Sequence, residues 1–394
     1  MISERILSTR TSRMGASAIR EILKLLGQPG MVSLAGGIPA PESFPMDLIR
    51  ELSDQVLVKY GSKALQYDLT EGFVPLREAL SVELKNRGIV AGVDDIVITS
   101  GSQGALDAIG KICISPGDTV AMEAPTYLGA IQAFNPYGPN YVRMDTDDDG
   151  LIPESMENVL KTHTVKFVYL VPTFQNPTGR TLSLERRKRI AAIAQEQDVL
   201  IIEDDPYSAL RFSGEPIPPI KTLAPDHVAY MGSFSKVLSP GLRLGYTVAP
   251  HLIGRWMTLA KQGVDLNTST LGQALAAEYI AGGHLVTHVR KIIDLYAPKQ
   301  KAMLEAMDAH FPSEWRYSRP AGGMFVWAEG PDGVETETLY HTCVARKAAF
   351  VPGKFFYTEK GEGLATMRLN FTMASVDQIR WAIHVIADAI RESH

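Results

Sequence analysis

Along the middle of the chain, short continuous apolar runs alternate with segments of helical spacing. Ile96-Val97-Ile98-Thr99, residues 120–123, 167–171 and 199–202, and Val228-Ala229-Tyr230-Met231 are partly β-branched and are each followed by turn formers. Runs of this kind read as buried strands. Helical patterns lie between them, over residues 101–113, over 154–161 and after Ser183, which is placed to cap the next helix. Residues 242–248 return to strand character after a Pro-Gly break. Strands alternating with helices from about 96 to 248 predict an α/β fold with a mainly parallel sheet. Ligands are expected outside the strand ends, near the Ser100, Glu203 and Ser233 turns. Helices are also predicted over 17–26, 47–60 and 74–87, and they dominate 251–310, with Pro298 as a kink. After that, short strands over 322–328, 350–352 and 367–371 mix with helices over 336–346 and 376–391, which predicts a second, α+β unit.

The turns carry the chemistry. In Ser233-Phe234-Ser235-Lys236, Lys236 sits at a strand end, where poor solvation lowers an ammonium pKa and frees the amine for a Schiff base with an aldehyde. Ser233, Ser235 and Arg243 lie close in sequence and supply donors suited to a phosphate dianion. A second phosphate element is the turn Ser100-Gly101-Ser102-Gln103-Gly104 ahead of a helix, with Ser102 and Gln103 placed on the oxygens. An amine beside a phosphate cradle points to pyridoxal 5′-phosphate. The apolar run 199–202 ends in Glu203-Asp204-Asp205; such carboxylates either have a task or cap a solvent-facing strand end. Arg368, within Met367-Arg368-Leu369, needs a partner, and a substrate α-carboxylate would serve. The adjacent Gly36 and Gly37 let the backbone approach a ligand closely.

Composition narrows the classes. A formal charge of −5 gives no electrostatic reason to expect nucleic acid or an anionic membrane, so small molecules fit better as partners. Cys113 and Cys343, the two cysteines, support neither a disulfide framework nor a cysteine zinc site, and a reducing cytoplasm is the expected location. No apolar run approaches bilayer length, and residues 1–20 lack the continuous apolar core of a secretory signal. Their four arginines mildly suggest a transit peptide, which Glu4 and Glu21 weaken. Residues 145–150 begin like a calcium loop, but Met156 stands where the bidentate glutamate belongs, so a solvated acidic loop is expected. His284 and His288 lack a third ligand and read as ordinary helix residues, and Arg186 to Arg189 as a solvated helix face. No metal is expected.

Ser-x-Ser-Lys followed by Pro-Gly-x-Arg-x-Gly resembles the cofactor-lysine segment of fold-type I pyridoxal-phosphate aminotransferases, and Asn176-Pro177-Thr178-Gly179 resembles another turn of that family. The chain is most similar to the 2-aminoadipate and kynurenine branch. The resemblance implies a large cofactor domain over 46–285 with a mainly parallel seven-stranded sheet, and an N-terminal arm and small domain over 1–45 and 286–394. It implies that Lys236 forms the aldimine, Asp204 pairs with the pyridine nitrogen, Tyr127 stacks on the ring, and Asn176 and Tyr207 share the phenolic oxygen. Gly37 and Arg368 would meet the substrate carboxylate. Tyr67 would reach the partner subunit's phosphate in a homodimer. The reaction implied is transamination through pyridoxamine phosphate, with an amino acid as donor and 2-oxoglutarate as acceptor. Arg20, on the first predicted helix, either turns toward an acidic substrate side chain or merely decorates that helix. Two alternatives remain. One is another reaction on the same cofactor, such as β-elimination. The other is an effector-sensing module of the MocR type, for which the stretch before Gly36 is too short to hold the expected winged helix.

Overall fold

The apolar runs assemble into one twisted sheet. The computed structural model describes residues 4–15 and 29–393; the predicted helix over 17–26, with Arg20, lies outside them. Seven strands, β1 (Ile96–Thr99), β2 (Thr119–Glu123), β3 (Asn140–Met144), β4 (Val165–Leu170), β5 (Leu200–Asp205), β6 (Val228–Ser233) and β7 (Gly245–Val248), take the order β1-β7-β6-β5-β4-β2-β3. Strand β7 runs antiparallel to β1 and β6, and the other pairings are parallel. β3 has no counterpart among the predicted strands. It lies at the sheet edge with only Met144 fully buried, so its residues do not form a continuous apolar run.

Helices cover both faces, among them Gly101–Cys113 after β1 and Leu184–Glu196 before β5. The β4 side chains alternate: Phe167 and Tyr169 enter one core cluster, and Val168 and Leu170 enter another on the opposite face. A smaller antiparallel sheet has the order β8-β9-β11-β10, from β8 (Arg316–Tyr317), β9 (Phe325–Glu329), β10 (Val351–Pro352) and β11 (Thr366–Asn370). One apolar cluster runs through both sheets, joining Tyr169 and Met231 of the large sheet to Phe325, Trp327 and Met367 of the small one. Val32–Ser33 pairs in parallel with Ala348–Ala349, which fixes the glycine loop against the small sheet.

Several expectations need correction. The acidic stretch is exposed as expected, but it is ordered as a hairpin: Thr146–Asp147 pairs with Gly150–Leu151, and Asp147 is bonded to Arg186. Arg187 does not lie on a solvated face. It is 1% exposed, and its guanidinium donates to the carbonyls of Leu182, Pro172 and Pro218 and to Thr173 Oγ1. Its charge spreads over four acceptors, which is what permits its burial. His284 and His288 do lie on one helix, His284–His310, where His288 is buried with Nε2 bonded to the carbonyl of Ser43 at 2.8 Å. Finally, β5 does not stop before its carboxylates. Asp204 and Asp205 pair in register with Met231 and Gly232 of β6, so all three acids are buried in the sheet.

Candidate active site

The ends of β5 and β6, the start of the helix Gly101–Cys113, the glycine loop and β11 enclose a cleft of about 550 Å³. Its walls include Gly37, Ser102, Gln103, Tyr127, Asn176, Asp204, Tyr207, Ser233, Ser235, Lys236, Arg243 and Arg368. Tyr67 is 76% exposed and is not among those walls.

Lys236 follows β6 and projects into the cleft, where its Nζ donates to the carbonyl oxygen of Gly37 at 2.9 Å. Burial, helped by the cations Arg368 and Arg243, lowers its pKa from 10.5 to about 8. At neutral pH roughly a tenth of the amine is therefore uncharged, against roughly one part in three thousand for an ordinary lysine.

Period-two alternation separates the three acids of β5. Glu203 accepts from the backbone N–H groups of Ile220 and Lys221, both at 2.8 Å. Asp205 accepts from the backbone and hydroxyl of Ser208 and from the Tyr230 hydroxyl. Asp204 lies on the other face, where Oδ2 accepts from the Tyr169 hydroxyl at 2.8 Å and buried Oδ1 has no partner among the described residues. Burial pushes the Asp204 carboxyl up to about 7, against the Tyr169 donation. A buried carboxylate with one open oxygen calls for a donor from a ligand.

At the opposite wall, Arg368 is 1% exposed; its Nη groups donate to Asn176 Oδ1 and the carbonyl of Ala35, each at 2.8 Å, and among the described residues no carboxylate pairs with it and its Nε has no partner. Its guanidinium carbon lies 4.3 Å from the Phe325 ring centroid and 4.9 Å from that of Phe356. Burial pulls its pKa down to about 10, which leaves it charged at neutral pH. Asn176 also donates to the Tyr207 hydroxyl at 3.3 Å, and burial raises the pKa of that phenol.

The remaining wall is a cradle of donors. Ser100 stands at the N-cap of the helix Gly101–Cys113 but spends its hydroxyl on Asp265 Oδ2 at 2.6 Å, so no side chain caps the first N–H groups. Ser102 Oγ is buried without a partner. Gly101 holds φ +72°, a left-handed backbone that a side chain would strain, and a Cβ there would lie 2.6 Å from Arg243 Nη2 and push the guanidinium aside. Arg243 itself holds a left-handed φ of 51°, a strained backbone of the kind found at ligand clamps. Gln103 is committed differently from expectation: its amide donates to the carbonyl of Gly129 at 2.8 Å, fixing the turn after Tyr127.

This donor set fits pyridoxal 5′-phosphate. The uncapped helix start and Ser102 suit a phosphate, the open Asp204 oxygen suits a pyridinium N–H, and Lys236 suits an aldehyde. Sequence reasoning missed Tyr169, which contacts Asp204, and the aromatic pair around Arg368. The one available signal was a hydroxylated ring inside the otherwise apolar run 167–171.

Comparison with known proteins agrees with this chemistry. The aminotransferase class I and II family model matches residues 36–386. The aromatic-amino-acid aminotransferase 1 of Thermococcus litoralis is 45% identical, over 99% of this chain and 95% of that protein. A kynurenine aminotransferase of Pyrococcus horikoshii, solved in complex with PMP, KYN and KYA, superposes with a TM-score of 0.95 at 44% identity, covering 99% of this chain and 98% of the other. An alpha-aminoadipate aminotransferase of Thermus thermophilus, complexed with N-(5′-phosphopyridoxyl)-L-leucine, superposes with a TM-score of 0.92 at 38% identity, covering 99% of each chain. On this agreement of family model, relatives and cleft, the chain belongs to the class I and II aminotransferases and is a pyridoxal-phosphate-dependent transaminase.

Proposed function

We propose that the chain transfers the amino group of 2-aminoadipate, or of an aromatic or aliphatic L-amino acid, to 2-oxoglutarate. One observation carries the residue assignments. An amine with a lowered pKa, a buried carboxylate with one open oxygen and a buried arginine without a carboxylate all border the same cleft. Bound pyridoxal 5′-phosphate supplies an aldehyde that condenses with amines and a ring that takes up the electron pair left at the substrate's Cα. Lys236 would hold that aldehyde through its neutral amine, and the same amine would serve as the general base for the Cα proton. Asp204 keeps a proton on the pyridine nitrogen. Asn176 and Tyr207 orient the phenolic oxygen, and Tyr127 packs on the ring. Ser102, Ser233, Ser235, Arg243 and the helix start hold the phosphate, and Arg368, beside Gly37, holds the substrate α-carboxylate.

A homodimer completes this reading, with Tyr67 serving the partner's phosphate. The helix His251–Asp265 supports it, for it buries Lys261 and exposes Leu252, Trp256 and Leu259. That pattern is inverted for a helix facing water and fits a helix facing protein. Leu65, Tyr67 and Leu69 are likewise exposed, on a segment tethered where Thr270 Oγ1 donates to the carbonyl of Gln66 at 2.8 Å. We place the chain in the cytoplasm, in keeping with its free cysteines. We further propose a division into a unit over 46–285 and a second over 1–45 and 286–394, a reading supported by the separation of the seven-stranded from the four-stranded sheet.

The test is a panel of amino donors against 2-oxoglutarate. Glutamate should appear in step with the oxo acid and without ammonia; ammonia release would mean β-elimination instead. Within that panel, Arg20→Ala should raise KM for 2-aminoadipate more than for leucine or phenylalanine. Equal effects would show that Arg20 does not read the side chain.

A further inference from the structure

Tyr169 lies fully buried on β4, in register with Ile202 of β5. Its ring meets Phe134 edge-on, with centroids 6.2 Å apart, and it shares a core cluster with Phe167 on the same strand. A phenylalanine would fill this space equally well. The hydroxyl is what distinguishes the tyrosine, and it donates to Asp204 Oδ2 at 2.8 Å, while Oδ1 is buried without a partner among the described residues in a side chain that lines the cleft.

We propose that Tyr169 is a positioning residue that decides whether the proton between Asp204 and the cofactor's pyridine nitrogen rests on the nitrogen or on the carboxylate. This rests on the reading of Asp204 as the nitrogen's partner. A carboxylate 2% exposed, without a cation bonded to it, is a strong base because burial disfavours its charge. The proton of a pyridinium beside it can cross to Oδ1: one N–H bond breaks, one O–H bond forms, and an ion pair becomes two neutral groups. Donation from Tyr169 to Oδ2 stabilises the charged carboxylate and so holds the proton on the ring. Of the other titratable groups around this pair, Asp205 is next in sequence and opposes ionisation of Asp204, while Tyr127, Glu123 and Lys236 face the same end of the sheet. Glu123 is occupied by the backbone N–H of Val171 at 3.0 Å. Tyr169 is the side chain bonded directly to the carboxylate.

The experiment reconstitutes the wild type, Tyr169→Phe and Asp204→Asn with cofactor labelled with 15N in the ring, and follows the nitrogen chemical shift from about pH 6 to about pH 10. The wild type should show a pyridinium shift over most of this range. Tyr169→Phe should move the resonance toward the neutral-pyridine shift across this range, because transfer within the pair leaves the proton count unchanged and so does not depend on pH, and Asp204→Asn should show the neutral shift throughout. If Asp204→Asn moves the resonance and Tyr169→Phe does not, the inference falls and the role of Asp204 stands. If neither moves it, the role of Asp204 falls as well. Should Tyr169→Phe fail to fold, Tyr169→3,5-difluorotyrosine keeps the shape and strengthens the donor. The resonance should then lie closer to the pyridinium limit than in the wild type at the same pH, and an unchanged shift overturns the proposal.

Discussion

The amine of Lys236 and the carbonyl of Gly37 meet at 2.9 Å across 199 positions of sequence. The same loop accepts from Arg368 through the carbonyl of Ala35, and its Leu34 carbonyl accepts from the backbone of Asn370 on β11. One short loop thus bonds both to the Lys236 amine, which follows β6 of the large sheet, and to Arg368 of the small one. Movement of the loop would change both ends of the substrate site together.

Lys236→Ala should lower kcat by about a thousandfold or more and abolish reductive trapping of the cofactor by borohydride. In cofactor-free wild type the Lys236 amine should acylate with a midpoint near its pKa of about 8. Lys221 has its pKa lowered to a similar value, but its Nζ donates to the carbonyls of Pro225 and Val228. Peptide mapping should therefore find the trapped cofactor on Lys236. A label on Lys221 would refute the assignment.

Asp204→Ala and Asp205→Ala should fail in different ways. Asp204 keeps an open oxygen at the cleft, so its loss should lower kcat by about a hundredfold or more with a smaller change in KM. Asp205 spends its oxygens on Ser208 and Tyr230, so its loss should lower Tm by several degrees and kcat far less. Thermal melts and steady-state kinetics of both variants decide between these outcomes.

Buried acids should give the cofactor-free protein an unusual pH profile. Burial raises Asp204 from 3.8 and Glu203 from 4.5 to about 7, and Glu123 from 4.5 to about 8. Each therefore binds its proton in the folded chain over a range where the unfolded chain has released it. Their stabilising contribution is complete below about pH 4 and is lost as pH rises, through about 7 for the first pair and about 8 for Glu123. Glu123→Gln should remove the upper part of that loss, so its Tm should fall a few degrees less than that of the wild type between about pH 7 and pH 8. Parallel Tm curves would show that Glu123 is not protonated in the fold.

Trp256→Glu places a charge on the exposed apolar face of the helix His251–Asp265. Sedimentation should then show a smaller species than the wild type, with cofactor affinity reduced about tenfold or more because Tyr67 no longer reaches a partner's phosphate. An unchanged sedimentation coefficient with unchanged affinity would place the subunit contact elsewhere.

The central strands were legible because a parallel strand covered on both faces is a continuous apolar run, as in Val228-Ala229-Tyr230-Met231. The edge strand Asn140–Met144 was not, since solvent meets much of it and its pattern loses that continuity. The basic cluster misled for a related reason. Residue type shows that Arg187 is charged, but only the carbonyls of Leu182, Pro172 and Pro218, brought together by the fold, show how that charge can be buried.

By itself the sequence determined where the chemistry could lie: at strand ends followed by turns, with Lys236, Asp204, Asn176 and Arg368 as candidate groups and a pyridoxal phosphate as the group they suit. Only the tertiary structure decided which oxygen and which cation remain unmet. Glu203, Asp204 and Asp205 are alike as residues, but alternation along β5 sends Asp204 to the face opposite its neighbours, where Tyr169 meets one oxygen and nothing meets the other. Chain order records which residues are adjacent along the backbone. The pKa of a carboxylate depends on burial and on partners 35 positions away, such as Tyr169, and those are set by sheet order.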